Sequence, residues 1–388
     1  MKTLVVAATV ICGVFIGVNS VFAQVWMQTS ALTKYWRSIA SSADGTKLIA
    51  VEQNNGGIYI STNSGITWVL SVATNKTWYG VASSADGSIL LAAADLGGIY
   101  ISTNSGAAWR SNSLPRYEWN SVACSSDGTK LVAAGNFNGP IYTSSNTGDT
   151  WISNSVPRWY WNSLASSADG AKLVTVGSGR IYTSTNSGGN WKSNSTPAGN
   201  GSQFVACSAD GSILVLPAGS YIYVSTNFGA TWISNDVPNL PWNAVASSAD
   251  GTKLVAVANG FLTAGGGIYA STNSGITWAS NSVSSTFDWY SVASSADGNK
   301  LAAEVYGGGI YTSYSTPSPQ LNLTFSSNNL AFSWIVPSTN FVLQQNSDLT
   351  VANWVTLTNT PVLNFSNLQD EIVLSPTNGS GFFRLISQ

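Results

Sequence analysis

Four carboxylates could support hydrolytic chemistry, because they lie in the segments that vary most along this otherwise repetitive chain. They are Glu52, Asp95, Glu118 and Asp288. Two carboxyl groups about 5 to 10 Å apart can divide the roles of acid and nucleophile or base in cleaving a glycosidic bond. Each of the four lies in a different repeat unit, so the sequence favours no particular pair and leaves them as candidates only.

Aromatic residues form a second set of candidates, for ligand binding. When the repeats are aligned, tryptophan occupies one position in six of them: Trp36, Trp78, Trp119, Trp161, Trp242 and Trp289, with Ser202 in the remaining repeat. Such a row could stack on the apolar faces of sugar rings, or each ring could pack between neighbouring repeats. Tyr117 and Trp159 fall outside the repeated position and are ligand candidates individually.

Composition excludes several kinds of chemistry. The 388 residues include no histidine, which removes the usual general base, Ser-His or Cys-His nucleophiles and most transition-metal sites. With 15 basic and 17 acidic residues, the chain has no charge excess that would attract nucleic acid or anionic lipid. We therefore expect no cofactor, no metal and no nucleic-acid partner.

The elements that must position these residues are repeated at a nearly constant spacing. The phrase STNSGITW, or a variant of it, begins at residues 61, 102, 144, 184, 225 and 271. An S-x-D-G-like turn and an Ile-Tyr pair each recur seven times with the same period. Short β-branched runs between turns predict four strands per repeat, in the first repeat Trp36–Ser42, Lys47–Val51, Gly57–Ser61 and Thr67–Ser71. This is the blade unit of a β-propeller.

The last repeat lacks a tryptophan-bearing fourth strand, whereas Trp26 lies in phase with the others at the opposite end of the chain. The segment Val25–Ser30 therefore predicts the missing strand, and we expect an all-β, seven-bladed propeller closed by its N-terminal strand. In this register Cys124 and Cys207 lie two blades apart. A disulfide needs Cα atoms within about 7 Å, so we expect two free, buried thiols.

The repeated phrase resembles the Asp-box (BNR) repeat, S-x-D-x-G-x-T-W, across all periods. The resemblance implies a turn between the third and fourth strands of each blade, although asparagine replaces the aspartate here. Asp-box propellers include sialidases, xyloglucanase-type enzymes and photosystem II assembly factors. Sialidases carry an arginine triad and an Arg-Ile-Pro element. This chain has six arginines and no Arg-Ile-Pro, so sialidase activity is not expected.

The two ends of the chain differ from the repeats. Residues 1–23 read as a secretory signal peptide cleaved before Gln24, and Cys12 lacks the context of a lipid-anchor site. After the propeller, residues 24–316, residues 317–388 predict six strands of a small β-sandwich. This segment resembles a C-terminal module of exported bacterial proteins. We therefore expect a secreted or periplasmic monomer without a membrane span.

These observations lead to one functional hypothesis and two alternatives. We expect a non-catalytic propeller that binds a carbohydrate or a protein partner through the face where its loops vary. A glycoside hydrolase acting on extracellular glycans, sialidase-like or other, is the first alternative. A structural cell-surface scaffold without a small ligand is the second.

Overall fold

The computed structural model describes residues 25–71, 76–112, 114–197, 204–235, 237–260, 266–281, 283–314, 321–326, 329–335, 341–347, 353–364, 369–374 and 382–387. The signal-peptide prediction, Cys12 and Ser202 lie outside these residues. The chain divides into two compact units, Met1–Ser313 and Tyr314–Gln388. In the described part, no helix is long and apolar enough to span a membrane.

The first unit is built from small antiparallel sheets. Its strands are β1 (Trp26–Gln28), β2 (Lys34–Ser41), β3 (Leu48–Glu52), β4 (Ile58–Ser61), β5 (Val69–Leu70), β6 (Trp78–Ser83), β7 (Leu90–Ala94), β8 (Gly98–Ser102), β9 (Arg110–Ser111), β10 (Trp119–Cys124), β11 (Leu131–Gly135), β12 (Ile141–Ser144), β13 (Ile152–Ser153), β14 (Ser163–Ser166), β15 (Leu173–Gly177), β16 (Arg180–Ser184), β17 (Lys192–Asn194), β18 (Ala206–Cys207), β19 (Leu214–Ala218), β20 (Tyr221–Ser225), β21 (Ile233–Ser234), β22 (Trp242–Ser247), β23 (Leu254–Ala258), β24 (Gly267–Ser271), β25 (Ala279–Ser280), β26 (Trp289–Ser294), β27 (Lys300–Gly308) and β28 (Ile310–Tyr314).

The strands pair in sequence order, four at a time. We call β2–β5 the first sheet, and the second to sixth sheets follow as β6–β9, β10–β13, β14–β17, β18–β21 and β22–β25. Strands β26, β27 and β28 are completed by β1 and form the seventh sheet. Pairing between β2 and β27 joins the seventh and first sheets into one eight-stranded sheet.

The ends of the repeat region meet at this junction. Strand β1 runs antiparallel to β28, with Trp26 opposite Ser313.

A second set of contacts links the turns between the first and second strands of all seven sheets. Each backbone N–H donates to the carbonyl of the next sheet at 2.7–2.8 Å, in the order Ala43, Ala85, Ser126, Ala168, Ala209, Ala249, Ala296 and again Ala43. These hydrogen bonds form a cycle that returns to its starting residue.

The repeated eight-residue phrase forms the turn before each fourth strand. In the first sheet the Ser61 hydroxyl accepts the Gly65 N–H at 2.8 Å, and Asn63 Oδ1 accepts the Thr67 N–H at 2.9 Å. Ser64 and Gly65 have φ values of 58° and 88°, a left-handed conformation that glycine adopts without strain. An uncharged asparagine therefore caps this turn through its amide oxygen.

The second unit contains two further sheets. Its strands are β29 (Asn322–Ser326), β30 (Asn329–Ile335), β31 (Phe341–Asn346), β32 (Val355–Thr356), β33 (Val362–Asn364), β34 (Gln369–Leu374) and β35 (Phe382–Ser387), ordered β29-β30-β34-β33 and β32-β31-β35. Buried Phe332, Leu343 and Ile372 form its core. The sequence predicted six of these strands and missed β33, whose three residues carry too little pattern to recognise.

Candidate functional site

The six aligned tryptophans are buried, which favours packing between sheets over ligand stacking for these rings. Trp36, Trp78, Trp119, Trp161, Trp242 and Trp289 are 0–5% exposed. Each packs edge-on against the tyrosine of its own sheet's third strand, with ring centroids 5.1–5.9 Å apart and planes at 70–87°. Trp78, for example, belongs to one buried cluster with Ile49 and Ile58 of the preceding sheet. A ring without exposed surface has no face to offer a ligand, so these six rings hold neighbouring sheets together.

The residue after each tryptophan has a different environment. The register of the first strand shifts immediately after Trp36, Trp78, Trp119, Trp242 and Trp289. Such a bulge inserts an extra residue and redirects its side chain. The inserted residues are Arg37, Tyr79, Asn120, Asn243 and Tyr290. The first strands of successive sheets contact one another around the unit, so the bulge residues of adjacent sheets lie on neighbouring strands.

Arg37 is the only cation among these bulge residues, and two tyrosines enclose it. Its guanidinium lies 5.2 Å from the Tyr79 ring centroid and 4.7 Å from that of Tyr290. In the part of the chain that the structure describes, Arg37 has no hydrogen bond and no ion pair. Burial lowers the pKa of the Arg37 guanidinium from its usual value. The five N–H donors of this side chain are thus held in place and unused.

Of the four candidate carboxylates, the structure brings Asp95 and Glu118 together. They face each other in an isolated antiparallel bridge that joins the second sheet to the third. Glu118 also interacts with Asn136 at 3.5 Å and with the Tyr79 hydroxyl. Burial, and then repulsion from Asp95, raise the pKa of Glu118 above its usual value. A pair in which one acid binds its proton more tightly can divide acid and base roles.

The other two candidates are separated from this pair. Glu52 forms an ion pair with Lys34 at 2.8 Å. Asp288 pairs with Asn259 in another bridge between sheets, and its Oδ1 is buried without a hydrogen-bond partner among the described residues. Burial raises the pKa of Asp288 as well.

Sequence reasoning missed Glu304, which is fully buried on β27. Among the described residues, neither carboxylate oxygen has a hydrogen-bond partner. Burial raises the pKa of Glu304 well above its usual value, while the charge of Arg37 lowers it only partly. An alignment of the repeats contains a signal for this residue. On the second strand, the position paired with the first residue after the bulge is Val51 in the first sheet and Val257 in the sixth, but Glu304 in the seventh.

A second group of side chains lies where the third and fourth sheets meet, on the face of the variable loops. We call Tyr117, Phe137, Arg158, Trp159, Tyr160 and Arg180 the aromatic–arginine cluster. Phe137 is 63% exposed and Tyr160 is 46% exposed, and their ring centroids lie 5.6 Å apart. Arg180 lies 4.1 Å from the Trp159 ring centroid. The Arg158 guanidinium donates to the Tyr117 hydroxyl at 2.9 Å.

Backbone geometry presents this cluster outward. Phe137 and Asn138 have φ values of 46° and 61°, a conformation that costs energy for non-glycine residues. The loop is held by the Gly139 N–H, which donates to the Trp159 carbonyl at 3.0 Å. The sequence singled out Tyr117 and Trp159. It missed Phe137, Tyr160 and Arg180, although the Asn-Phe-Asn-Gly-Pro run before β12 is a recognisable turn signal.

The opposite end of the first unit contains a cavity of about 190 Å³, lined mainly by serine and alanine. Cys124 and Cys207 line it and are free thiols, as the repeat register predicted. They are half-buried because they border this cavity. Desolvation raises the pKa of each thiol to about 12, so neither is reactive near neutral pH. Within the described residues, no cluster of acidic or cysteine side chains could hold a metal ion.

Comparison with known proteins shows the fold. No family model matches the sequence, and no curated protein does. Among solved structures, YCF48 bound to D1 peptide has a TM-score of 0.59 at 14% identity, covering 76% of this chain and 97% of the other. YCF48 from Cyanidioschyzon merolae has a TM-score of 0.59 at 14% identity, covering 74% and 98%. An ancestral GH74 enzyme has a TM-score of 0.58 at 14% identity, covering 80% and 53%. The chain therefore contains a β-propeller.

Proposed function

We propose that this protein is a closed seven-bladed propeller that binds an acidic segment of a protein partner, without catalysis, through its aromatic–arginine cluster. The cycle of backbone hydrogen bonds through seven turns and the pairing of β1 with β28 support the closed ring. The N-terminal strand then completes the last blade and leaves no open end there.

The exposed Phe137 and Tyr160 carry the functional proposal. Exposed aromatic side chains beside arginines are the composition of binding hot spots. The two rings meet at 72°, and Trp159 and Tyr160 meet at 83°. Perpendicular rings do not form the flat platform on which a sugar stacks, whereas they fit between the side chains of a peptide. Arg158 and Arg180 give the cluster a positive charge that complements an acidic segment.

The solved YCF48 structure with a bound D1 peptide supports a peptide ligand, because it shows that a related propeller can hold one. The similarity to the GH74 enzyme is compatible with a carbohydrate ligand instead. The charge and ring geometry of the cluster favour the peptide.

Selection of a random peptide display library on the full-length protein tests this proposal. We expect the selected peptides to be acidic and to bind more weakly as salt rises. Phe137→Ala and Arg158→Met should each weaken binding by about tenfold or more, as loss of a hot-spot residue does. Arg110→Met, on an outer strand, is the matched control and should bind normally. Selected peptides without acidic character, or glycan binding that Phe137→Ala abolishes, would argue against a peptide site.

A second candidate function rests on Asp95 and Glu118. Glycoside hydrolysis with Glu118 as the acid and Asp95 as its partner is supported by their juxtaposition and by the raised pKa of Glu118. Release of reducing sugar from a polysaccharide panel tests it. Glu118→Gln and Asp95→Asn should then each abolish turnover, with Asp149→Asn as the exposed control. Absence of any released sugar with the unaltered protein would remove this candidate.

We further propose that the protein is exported as a monomer. The apolar N-terminal run and the small residues before Gln24 support export. N-terminal sequencing of the mature protein should begin at Gln24, and light scattering should give the mass of one chain.

A further inference from the structure

Arg37, Tyr79, Asp95 and Glu118 form a charged group, which we call the Arg37–Glu118 cluster. It lies in the first three sheets and includes no member of the aromatic–arginine cluster. Tyr79 connects its parts, because its ring packs against the Arg37 guanidinium and its hydroxyl is hydrogen-bonded to Glu118. All four residues are half-buried and therefore reachable from solvent.

The cationic side of the cluster is ready to bind a carboxylate. Two tyrosine rings hold the Arg37 guanidinium, with centroids at 5.2 Å and 4.7 Å, so its orientation is fixed. No acceptor in the described residues uses its N–H donors. A guanidinium with a free donor edge matches the two oxygens of a carboxylate, which can accept two parallel hydrogen bonds.

Among the described residues, the anionic side of the cluster has no cation in ion-pair contact, although the charge of Arg37 acts on Glu118. Asp95 and Glu118 face each other across the bridge between sheets. Neither belongs to an ion pair of the described residues, where the pairs are Lys34–Glu52 and Arg110–Asp149. Two adjacent carboxyl groups repel each other when both are ionised. An ammonium group placed between them would remove that repulsion and donate to both.

We propose that the Arg37–Glu118 cluster binds a free α-amino acid, with the ligand carboxylate on Arg37 and the ligand ammonium at Asp95 and Glu118. A ligand with only one of these groups would satisfy half of the cluster. The tyrosines provide apolar surface beside the charged groups. Phe204 adds to it, since its ring lies 6.4 Å from that of Tyr290. An aromatic amino acid therefore suits the cluster best.

Isothermal titration of the full-length protein with three matched probes tests the proposal. L-phenylalanine carries both charged groups, hydrocinnamate lacks the amine, and phenethylamine lacks the carboxylate. We expect L-phenylalanine to bind about ten- to a hundredfold more tightly than either fragment, because each fragment loses one set of charge-assisted hydrogen bonds. Arg37→Met should abolish the preference over phenethylamine. Glu118→Gln should abolish the preference over hydrocinnamate.

Arg110→Met is the control, since Arg110 lies on an outer strand in an ion pair with Asp149. Circular dichroism verifies that each variant folds. If Arg37→Met does not fold, Arg37→Lys and Glu118→Gln still test the two halves, because both keep the size of the side chain. No binding of L-phenylalanine, equal binding of L-phenylalanine and hydrocinnamate, or unchanged binding by Glu118→Gln would each overturn the proposal. The titration contains no peptide, so its failure leaves the peptide-binding proposal standing.

Discussion

Replacing Glu304 by valine should stabilise this protein. The carboxyl group is fully buried, and neither of its oxygens has a hydrogen-bond partner in the part of the chain that the structure describes. Even in its protonated form, a buried polar group without a partner costs about 1–3 kcal/mol. Valine already stands at the equivalent position of the first and sixth sheets, as Val51 and Val257, where it is fully buried. The substitution should therefore raise the free energy of unfolding by about 1–3 kcal/mol at acidic pH.

The gain should be larger at neutral and alkaline pH. Burial raises the pKa of Glu304 in the folded protein, so the folded state holds this proton more tightly than the unfolded state. The associated stability is fully present below the usual glutamate pKa and is lost as pH rises towards the raised value. Within that window the loss amounts to about 1.4 kcal/mol per pH unit. Glu304→Val removes this loss and flattens the dependence of stability on pH.

Thermal unfolding of the full-length protein, followed by circular dichroism at about pH 5 and about pH 8, measures both effects. A gain of 1 kcal/mol should raise Tm by roughly 2–4 °C in a domain of this size. Asp149→Asn is the control, because Asp149 is exposed and its removal should change Tm little. A lower Tm for Glu304→Val at both pH values would refute the reasoning. It would mean that Glu304 is ionised and stabilised by Arg37.

Three further predictions concern the repeated turns and the thiols. Ser61→Ala should lower the free energy of unfolding in urea by about 1–3 kcal/mol, because it leaves the buried Gly65 N–H without its acceptor; an unchanged midpoint would contradict this role. Hydrogen bonds from Ser84 and Ser88 lower the pKa of Asp86 to about 2. Its contribution to stability is therefore complete above the usual aspartate pKa and is lost as pH falls towards about 2, and Asp86→Asn should weaken that acid dependence in circular dichroism. The thiols Cys124 and Cys207 should resist iodoacetamide in the native protein and react after denaturation, with an intact mass that shows no disulfide.

The repeated strands could be predicted closely because their limits are set by local chemistry. The Ile58–Ser61 strand ends where the Ser61 and Asn63 side chains begin to bind the turn backbone, and those residue types signal a turn by themselves. The fourth strands were predicted too long. Strand β5 is only Val69–Leu70, because it pairs on one side only and little holds its ends. Strand length at an edge depends on the partner strand, which the sequence pattern does not report.

The candidate sites were harder to predict because they depend on contacts between sheets. The row of tryptophans was compatible with stacking or packing, and only the neighbouring sheet decides that rings such as Trp78 are buried. Arg37 follows a tryptophan on a strand, and simple alternation does not reveal that a bulge redirects it. Asp95 and Glu118 meet because loops of adjacent sheets form a bridge, and their separation along the chain gives no hint of it.

The sites proposed here share one property, which is that they depart from the repeat. The bulge position carries tyrosine or asparagine in the second, third, sixth and seventh sheets, whereas the first sheet has Arg37. On the second strand, the residue paired with the first residue after the bulge is the apolar Val51 in the first sheet. In the seventh sheet the residue at this position is the acidic Glu304. A repeated position whose side chain packs between neighbouring sheets tolerates little variation, since each copy makes the same contacts. A residue that breaks the pattern at a cost in stability, as Glu304 does, is therefore better explained by function than by folding. Glu304 lies within electrostatic reach of Arg37, so its charge state should also adjust how strongly Arg37 attracts an anionic group.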